Sequence, residues 1–385
     1  MIAQQKDRFD LDPDHIYLNG AYMSPQLRSV TQIGIENLKK KNRPYEISEA
    51  DFFSEKRVLK ERFAQLISAP DPEAIAIIPS VSYGIANVIR NITFEKGDEI
   101  ILLQEQFPSN YYAWKQLEAS HGVLVKIVTA PAVETGRAER WNEALVEAVT
   151  ERTKVVAVPH VHWADGTLFN LSLLRKRTNE VNAYLIVDGT QSVGALPFSV
   201  QDIAPDALIC GGYKWLLGAY GLGVAYYGER FYEGIPIENN WMNHEGSENF
   251  SNLVNYNERF KAKATRFDVG ESSNFILVPM LSEGIRQLLE WTPEVIQDYC
   301  RNITKDVLKT LPKKYFYIED PKFRAQHLFG IYTKGELSIP NLKQRIAAQN
   351  ISVSYRGKAI RVSPNVYNTE DDLQQLISCL RSAVN

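Results

Sequence analysis

An aspartate that closes one apolar run and a lysine that follows the next are the residues of this sequence best suited to chemistry. Asp188 ends the run Ala183-Tyr-Leu-Ile-Val-Asp and leads into Gly-Thr-Gln191; 26 residues later, Lys214 follows Ala207-Leu-Ile-Cys-Gly-Gly-Tyr213. In an open parallel sheet, ligands bind beyond the carboxyl ends of the strands, so polar residues in those places face the crevice. An acid and a lysine so placed suit pyridoxal phosphate. The amine forms an imine with the aldehyde, and the carboxylate keeps the pyridine nitrogen protonated so that the ring can accept carbanion electrons. Gly211, Gly212, Gly218, Gly221 and Gly223 surround the lysine and allow the backbone to approach a bulky ring closely. A surface lysine after a strand and a helix-capping aspartate would show the same pattern, and spacing alone does not choose between the two.

Positioning such a pair requires a sheet, and the sequence supplies one. Short apolar runs at 74–78, 99–103, 123–128, 155–159, 184–187, 207–209 and 223–227 alternate with helix-like segments such as 109–121 and 171–182. Continuous, β-branched runs suit parallel strands buried on both faces, and the intervening segments are long enough for crossover helices. After about residue 260 the pattern changes: a helical stretch at 279–291 precedes strand-like pieces at 315–318 and 328–332. The reading is α/β, a mostly parallel central sheet flanked by helices plus a smaller α+β C-terminal domain. An N-terminal arm over 1–20 that can pack on the small domain, a large domain over 21–260 and a small domain over 261–385 follow. Residues 233–258 read as a long loop of the kind that is usually functional or mobile.

Composition narrows the field. With 43 basic against 46 acidic residues in 385, a net of −3, the chain offers no basic face for nucleic acid and no polybasic membrane anchor. No apolar stretch approaches the roughly 18 residues of a membrane span, and the first ten residues are too charged for a secretory signal. Cys210, Cys300 and Cys379 lie far apart without a Cys/His cluster, so neither a disulfide framework nor a metal site is expected, and the reducing cytoplasm fits.

Asp188-Gly-Thr-Gln191, Gly-Gly-Tyr213-Lys214-Trp-Leu-Leu-Gly and Arg361-Val-Ser-Pro-Asn-Val-Tyr-Asn-Thr-Glu-Asp-Asp-Leu together resemble the class V aminotransferase family of fold-type I pyridoxal phosphate enzymes. That family includes cysteine desulfurases, kynureninases and isopenicillin-epimerase-like proteins, so the resemblance implies cofactor and fold more strongly than reaction. It makes Lys214 the imine-forming lysine, Asp188 the partner of the ring nitrogen and Gln191 a contact to the ring's phenolic oxygen. Phe107, in Gln106-Phe-Pro-Ser, falls where an aromatic covers the ring, in a form similar to kynureninases. Val81, through its amide, and Ser82 fall at the phosphate-binding turn, and Tyr213 can donate to the same phosphate.

In many relatives a Gly-Thr turn of the partner subunit also reaches the phosphate. Here the matching stretch is Gly270-Glu-Ser272-Ser273, so the role passes to Ser272 or Ser273 and implies a homodimer with a shared active site. Arg361 falls where the family binds the substrate α-carboxylate, and Arg356 is a second cation within reach of the same pocket. Trp163 sits where relatives place a residue near the substrate; His160 and His162 in the same loop either join it or satisfy loop backbone, and Tyr22 and the 233–258 loop are further candidates for the pocket wall.

One departure limits the reaction. Desulfurases carry a catalytic cysteine shortly before the carboxylate-binding arginine, and residues 345–360 contain none. Persulfide chemistry is thereby disfavoured. The expected activity is that of an aminotransferase acting on an amino acid and a keto acid, with a kynureninase-like carbon–carbon lyase or an epimerase as alternatives, and a non-catalytic cofactor-binding protein as the remaining one.

Overall fold

The computed structural model describes residues 2–335 and 337–384. After a short strand β1 (Ile16–Tyr17), the chain builds a seven-stranded sheet from β2 (Ile75–Ile78), β3 (Glu99–Leu103), β4 (Leu124–Val128), β5 (Thr153–Pro159), β6 (Tyr184–Asp188), β7 (Ala207–Gly211) and β8 (Gly223–Tyr227). Their order is β2-β8-β7-β6-β5-β3-β4, and the strands coincide with the seven apolar runs of the sequence. All run parallel except β8, which pairs antiparallel with both β7 and β2. The physical reason is the connection: residues 212–222 hold no crossover helix, and without one the chain returns antiparallel.

Successive side chains of each strand feed opposite cores. Leu185 and Val187 of β6 enter a core shared with Trp141, Phe63 and Leu281, whereas Ile186 enters one built with Trp114, Phe231 and Phe267. This two-sided burial is why the strands read as unbroken apolar runs. At the free edge the rule relaxes, and β4 leaves Leu124 and Ile127 exposed.

The second unit is a four-stranded antiparallel sheet, in the order β12-β13-β10-β9, made of β9 (Phe316–Tyr317), β10 (Phe329–Thr333), β12 (Ser354–Arg356) and β13 (Ala359–Val362). A further strand, β11 (Ile351–Ser352), pairs in parallel with β1. Ile16 and Leu18 thereby join a core with Phe329, Ile331, Ile360 and Leu376, so the N-terminal segment packs on this unit. The helix Leu277–Trp291, which the sequence reading placed in the small domain, packs instead on the helices Arg28–Lys40 and Asp51–Leu66. It is apolar on most of its circumference, with Met280, Leu281, Ile285 and Leu288 in the first core, and such a helix needs burial on more than one side. Among the described residues no helix is long and apolar enough to cross a membrane.

A buried polar strap joins the two units. Asp165, in the loop after β5, takes hydrogen bonds from Arg137 (2.7 Å) and from the Tyr332 hydroxyl of β10 (2.6 Å), and its Oδ1 accepts from the Thr167 amide. Backbone bonds reinforce it: the Gly330 amide donates to Asp165 O and the Ala325 amide to Gly166 O. Gly166 has a φ of +78°, and a Cβ there would lie 2.0 Å from Leu328 O, so only glycine fits where the loop meets the small unit. Although burial opposes it, His162, Arg137 and Tyr332 together hold the Asp165 carboxyl far below the usual range. Removing one partner of a buried ion pair leaves the other uncompensated, so D165N should lower the unfolding free energy by about 3 kcal/mol or more. A urea titration showing a loss of less than about 1 kcal/mol would mean that the strap adds little beyond surface-level pairing.

Two buried histidines make the fold acid-sensitive in a second way. His327 Nε2 lies 2.8 Å from Gln191 O and its Nδ1 2.6 Å from Gln297 Nε2; His160 stacks edge-on against Phe198. Burial pushes both imidazoles down to about 4. Between that value and 6.5 the unfolded chain binds more protons than the folded one, so stability is full above pH 6.5 and falls as the pH drops toward 4, by roughly 3 kcal/mol for each ring. The urea midpoint should therefore decline between pH 6.5 and 4.5, less steeply in H327Q. Equal slopes in the two proteins would exclude His327 as a source of the effect.

Candidate active site

Asp188 closes β6 with its carboxylate buried, and Lys214 lies three residues beyond the end of the neighbouring β7. Thr190 ties the two ends together. Its amide donates to Asp188 Oδ1 (3.0 Å), and its hydroxyl accepts from the Gly211 amide (3.1 Å). The turn carrying Lys214 is tight: the Gly212 amide donates to Leu222 O, and a Cβ on Gly212 would lie 2.6 Å from that oxygen. Glycine is required here for close approach rather than for conformation.

Around this pair lies a cavity of about 280 Å³ whose lining includes Val81, Ser82, Phe107, Trp163, Gln191 and Tyr213 together with Asp188 and Lys214. The Lys214 ammonium stands 5.4 Å from the ring centres of both Phe107 and Tyr213 and makes no hydrogen bond or ion pair within the described residues. Burial brings its amine down to about 8; Asp188 opposes the shift, and Arg361 and Arg356 add to it. Burial pushes the Asp188 carboxyl up, against the Thr190 hydrogen bonds. A buried carboxylate with no cation in contact and a buried amine with no acceptor are incomplete on their own. A protonated heteroaromatic nitrogen would answer the first and a carbonyl carbon the second.

The phosphate-binding turn predicted at Val81 and Ser82 is the first turn of the helix Val81–Arg90. Ser80 caps it, accepting from the Tyr83 amide at 3.2 Å, and its hydroxyl lies 3.0 Å from that of Ser82. Free amides and hydroxyls at such a helix start favour an anion. Gln191 accepts from Trp215 Nε1 (2.9 Å) and gives one amide hydrogen to Ala21 O (3.0 Å), which leaves its second hydrogen for a ligand.

The wall opposite is built on Trp163, which meets Phe107 edge to face at 5.4 Å and donates its indole N–H to Glu105 O at 2.6 Å. Behind it Arg361 of β13 donates to Trp163 O (2.9 Å) and to Ser354 Oγ (3.2 Å), and Ser354 in turn donates to Asn19 Oδ1. Arg356, at the end of β12, stacks 4.9 Å from the centre of the same indole. Both arginines thus flank the wall from the small unit, although neither lines the cavity itself.

Four candidates lie elsewhere. Ser272 is fully buried and accepts from Lys56 at 2.6 Å, while Ser273 lies 3.9 Å from Met242 Sδ; neither enters this chain's cavity, because the Lys56–Asp268–Lys60 cluster draws Ser272 inward. His160 and His162 pack on Phe198 and Trp141 instead of facing the cavity. The sequence reading missed Thr190, although a threonine two residues after a strand-ending aspartate is an Asx-turn signal. It also missed Ser354 and Asn19, for which no local signal exists. A larger depression of about 1180 Å³, lined in part by Lys56, Lys60 and Lys261, contains none of the strand-end residues.

Comparison with known proteins bears on family and fold. The sequence model of the family described as "Aminotransferase class-V" matches residues 48–376. The chain is 23% identical over 319 residues to the uncharacterized aminotransferase YcbU of Bacillus subtilis, covering 83% of this chain and 81% of that protein. It is 29% identical over 220 residues to a probable cysteine desulfurase of Methanothermobacter thermautotrophicus, covering 55% and 53%. Among solved structures, a C-DES variant with glycine covalently linked to the PLP cofactor superimposes with a TM-score of 0.84 at 18% identity, covering 98% of this chain and 99% of that one. The apo cysteine desulfurase of Thermococcus onnurineus gives 0.82 at 19%, covering 100% and 99%. Fold, strand-end pair and family match converge: the chain belongs to the class V aminotransferase family, pyridoxal phosphate-dependent enzymes that act on amino acids.

Proposed function

We propose that this protein is a transaminase of that family, moving an amino group between an amino acid and a keto acid. The observation that carries the reading is the pair of buried, uncompensated groups, Asp188 and Lys214, at the ends of adjacent strands below Phe107. When bound, pyridoxal phosphate supplies an electrophilic carbonyl carbon and a ring that takes up the electron pair left on the amino acid's α-carbon. Asp188 holds the proton on the ring nitrogen. Phe107 and Gln191 fix the ring plane, while Val81, Ser82 and Tyr213 hold the phosphate. Arg361 grips the α-carboxylate and so sets which bond to the α-carbon is broken. The Lys214 amine, neutral above about pH 8, would take the proton from that carbon and deliver it to the former carbonyl carbon instead, so that the nitrogen stays behind and the substrate leaves as a keto acid.

None of the three cysteines lines the cavity; Cys210 and Cys300 are buried, and burial pushes both thiols up. This supports transamination over persulfide chemistry. Phe107 and Tyr213 favour a second reading, a kynureninase-like lyase, whose mark is an amino-acid product from carbon–carbon cleavage. We further propose a homodimer in the cytoplasm. Ile235, Ile237, Trp241, Leu253, Val254 and Tyr256 are exposed along the 233–258 loop, apolar side chains that a second subunit could cover, and Ser273 is the serine left to reach the partner's phosphate.

Borohydride reduction after addition of pyridoxal phosphate should fix the cofactor on Lys214, detected by mass spectrometry. The labelling rate of cofactor-free protein should rise with pH around a midpoint near 8; a midpoint near the ordinary lysine value of about 10.4 would remove the role given to burial. K214A should give no adduct. One equivalent of keto acid per site, released without a second substrate, selects transamination; cleaved product without keto acid selects the lyase.

A further inference from the structure

Arg356 and Arg361 stand on neighbouring antiparallel strands, β12 and β13, joined by a two-residue turn at Gly357 and Lys358. The register pairs Arg356 with Ala359 and Ser354 with Arg361. The two arginines are therefore diagonal neighbours on one face of the sheet, roughly 7–8 Å apart in backbone terms. Both aim at one indole, with guanidinium carbons 4.9 and 5.9 Å from the centre of the Trp163 ring.

Neither has a carboxylate partner among the described residues. Arg361 donates to a carbonyl and a hydroxyl, Arg356 to Tyr355 O at 2.7 Å, and the Nε of each is buried without a partner. Arg361 is buried and Arg356 half-buried, and a buried cation without an anion is costly. One guanidinium already matches one carboxylate through two parallel hydrogen bonds, so a second beside it exceeds what an α-carboxylate needs. Neither lines the cavity, but both stand against the indole of Trp163, which does.

We infer that the two arginines read two anions of one substrate, Arg361 the α-carboxylate and Arg356 a second carboxylate at the end of the side chain, so that the preferred substrate is an acidic amino acid. This rests on the site reading proposed above. The rival arrangement, in which both arginines share the α-carboxylate, makes a different prediction, because it gives no advantage to a second acid.

The test uses the enzyme loaded with pyridoxal phosphate and two unreactive probes that differ by one carboxylate, succinate and propionate, titrated calorimetrically. Succinate should bind about tenfold or more tightly than propionate, as expected for one added charge-assisted pair. R356Q should bring the two within about twofold of each other, R356K should keep part of the difference, and kcat/KM for aspartate over asparagine should fall in parallel. Equal binding of the probes by the unaltered enzyme overturns the inference. So does an R356Q that weakens both probes alike, which places Arg356 on the α-carboxylate. Should R356Q not fold, R356K and the unaltered enzyme decide. The borohydride-fixed adduct on Lys214 is recorded in every sample. If it is absent from the unaltered enzyme, the site reading itself falls and this inference with it; an adduct with no preference for succinate overturns the inference alone.

Discussion

A carboxylate sunk into the end of a sheet, with no cation touching it, is the constraint from which the rest of this molecule follows. Asp188 is held there by Thr190, which in turn binds the end of the strand that leads to Lys214. Such an acid is stable in its charged form only if something positive is brought to it. The parallel sheet provides the means, since strand ends converge on one edge where a flat ligand can lie across several of them. Phe107 and the capped start of the helix at Val81 line the cavity along that edge.

The large unit was legible because its physics is local. Strands buried on both faces must be apolar at every position, and all seven appear as runs with their ends within a residue or two of the true ones. Asp188 and Lys214 could be found because each interrupts apolar surroundings immediately after such a run. The antiparallel sense of β8 was not visible, because it depends on how the 212–222 connection folds. Nor was the placement of the helix Leu277–Trp291, whose all-round apolarity shows that it is buried but not against what. Ser272 illustrates the limit on the site. A serine in the right place by family resemblance is committed to Lys56, a residue more than two hundred positions away, and no spacing rule contains that information.

Trp163 belongs to both units at once. Its ring forms a wall of the cavity beside Phe107, while its carbonyl oxygen is held by Arg361 from the small sheet. The Asp165 strap, two residues on, fixes the same loop to β10. A neutral carbonyl is a weaker partner for a guanidinium than a carboxylate. If Arg361 takes a substrate carboxylate as proposed, the anion would compete for the very group that secures the wall, and binding and wall position would be coupled through one side chain.

The hairpin that carries both arginines turns at Gly357, whose φ of +54° suits the first position of a two-residue connection. Side chains alternate strictly along a strand, so lengthening this turn by one residue and slipping the pairing would carry Arg356 to the opposite face while leaving Arg361 in place. Turn length here acts as a selector of charge: the same two strands, with one more residue between them, would present a site with a single guanidinium. A protein built this way can change the charge at the rim of its small sheet, far in the chain from Asp188 and Lys214, without disturbing the strand ends that position those two residues.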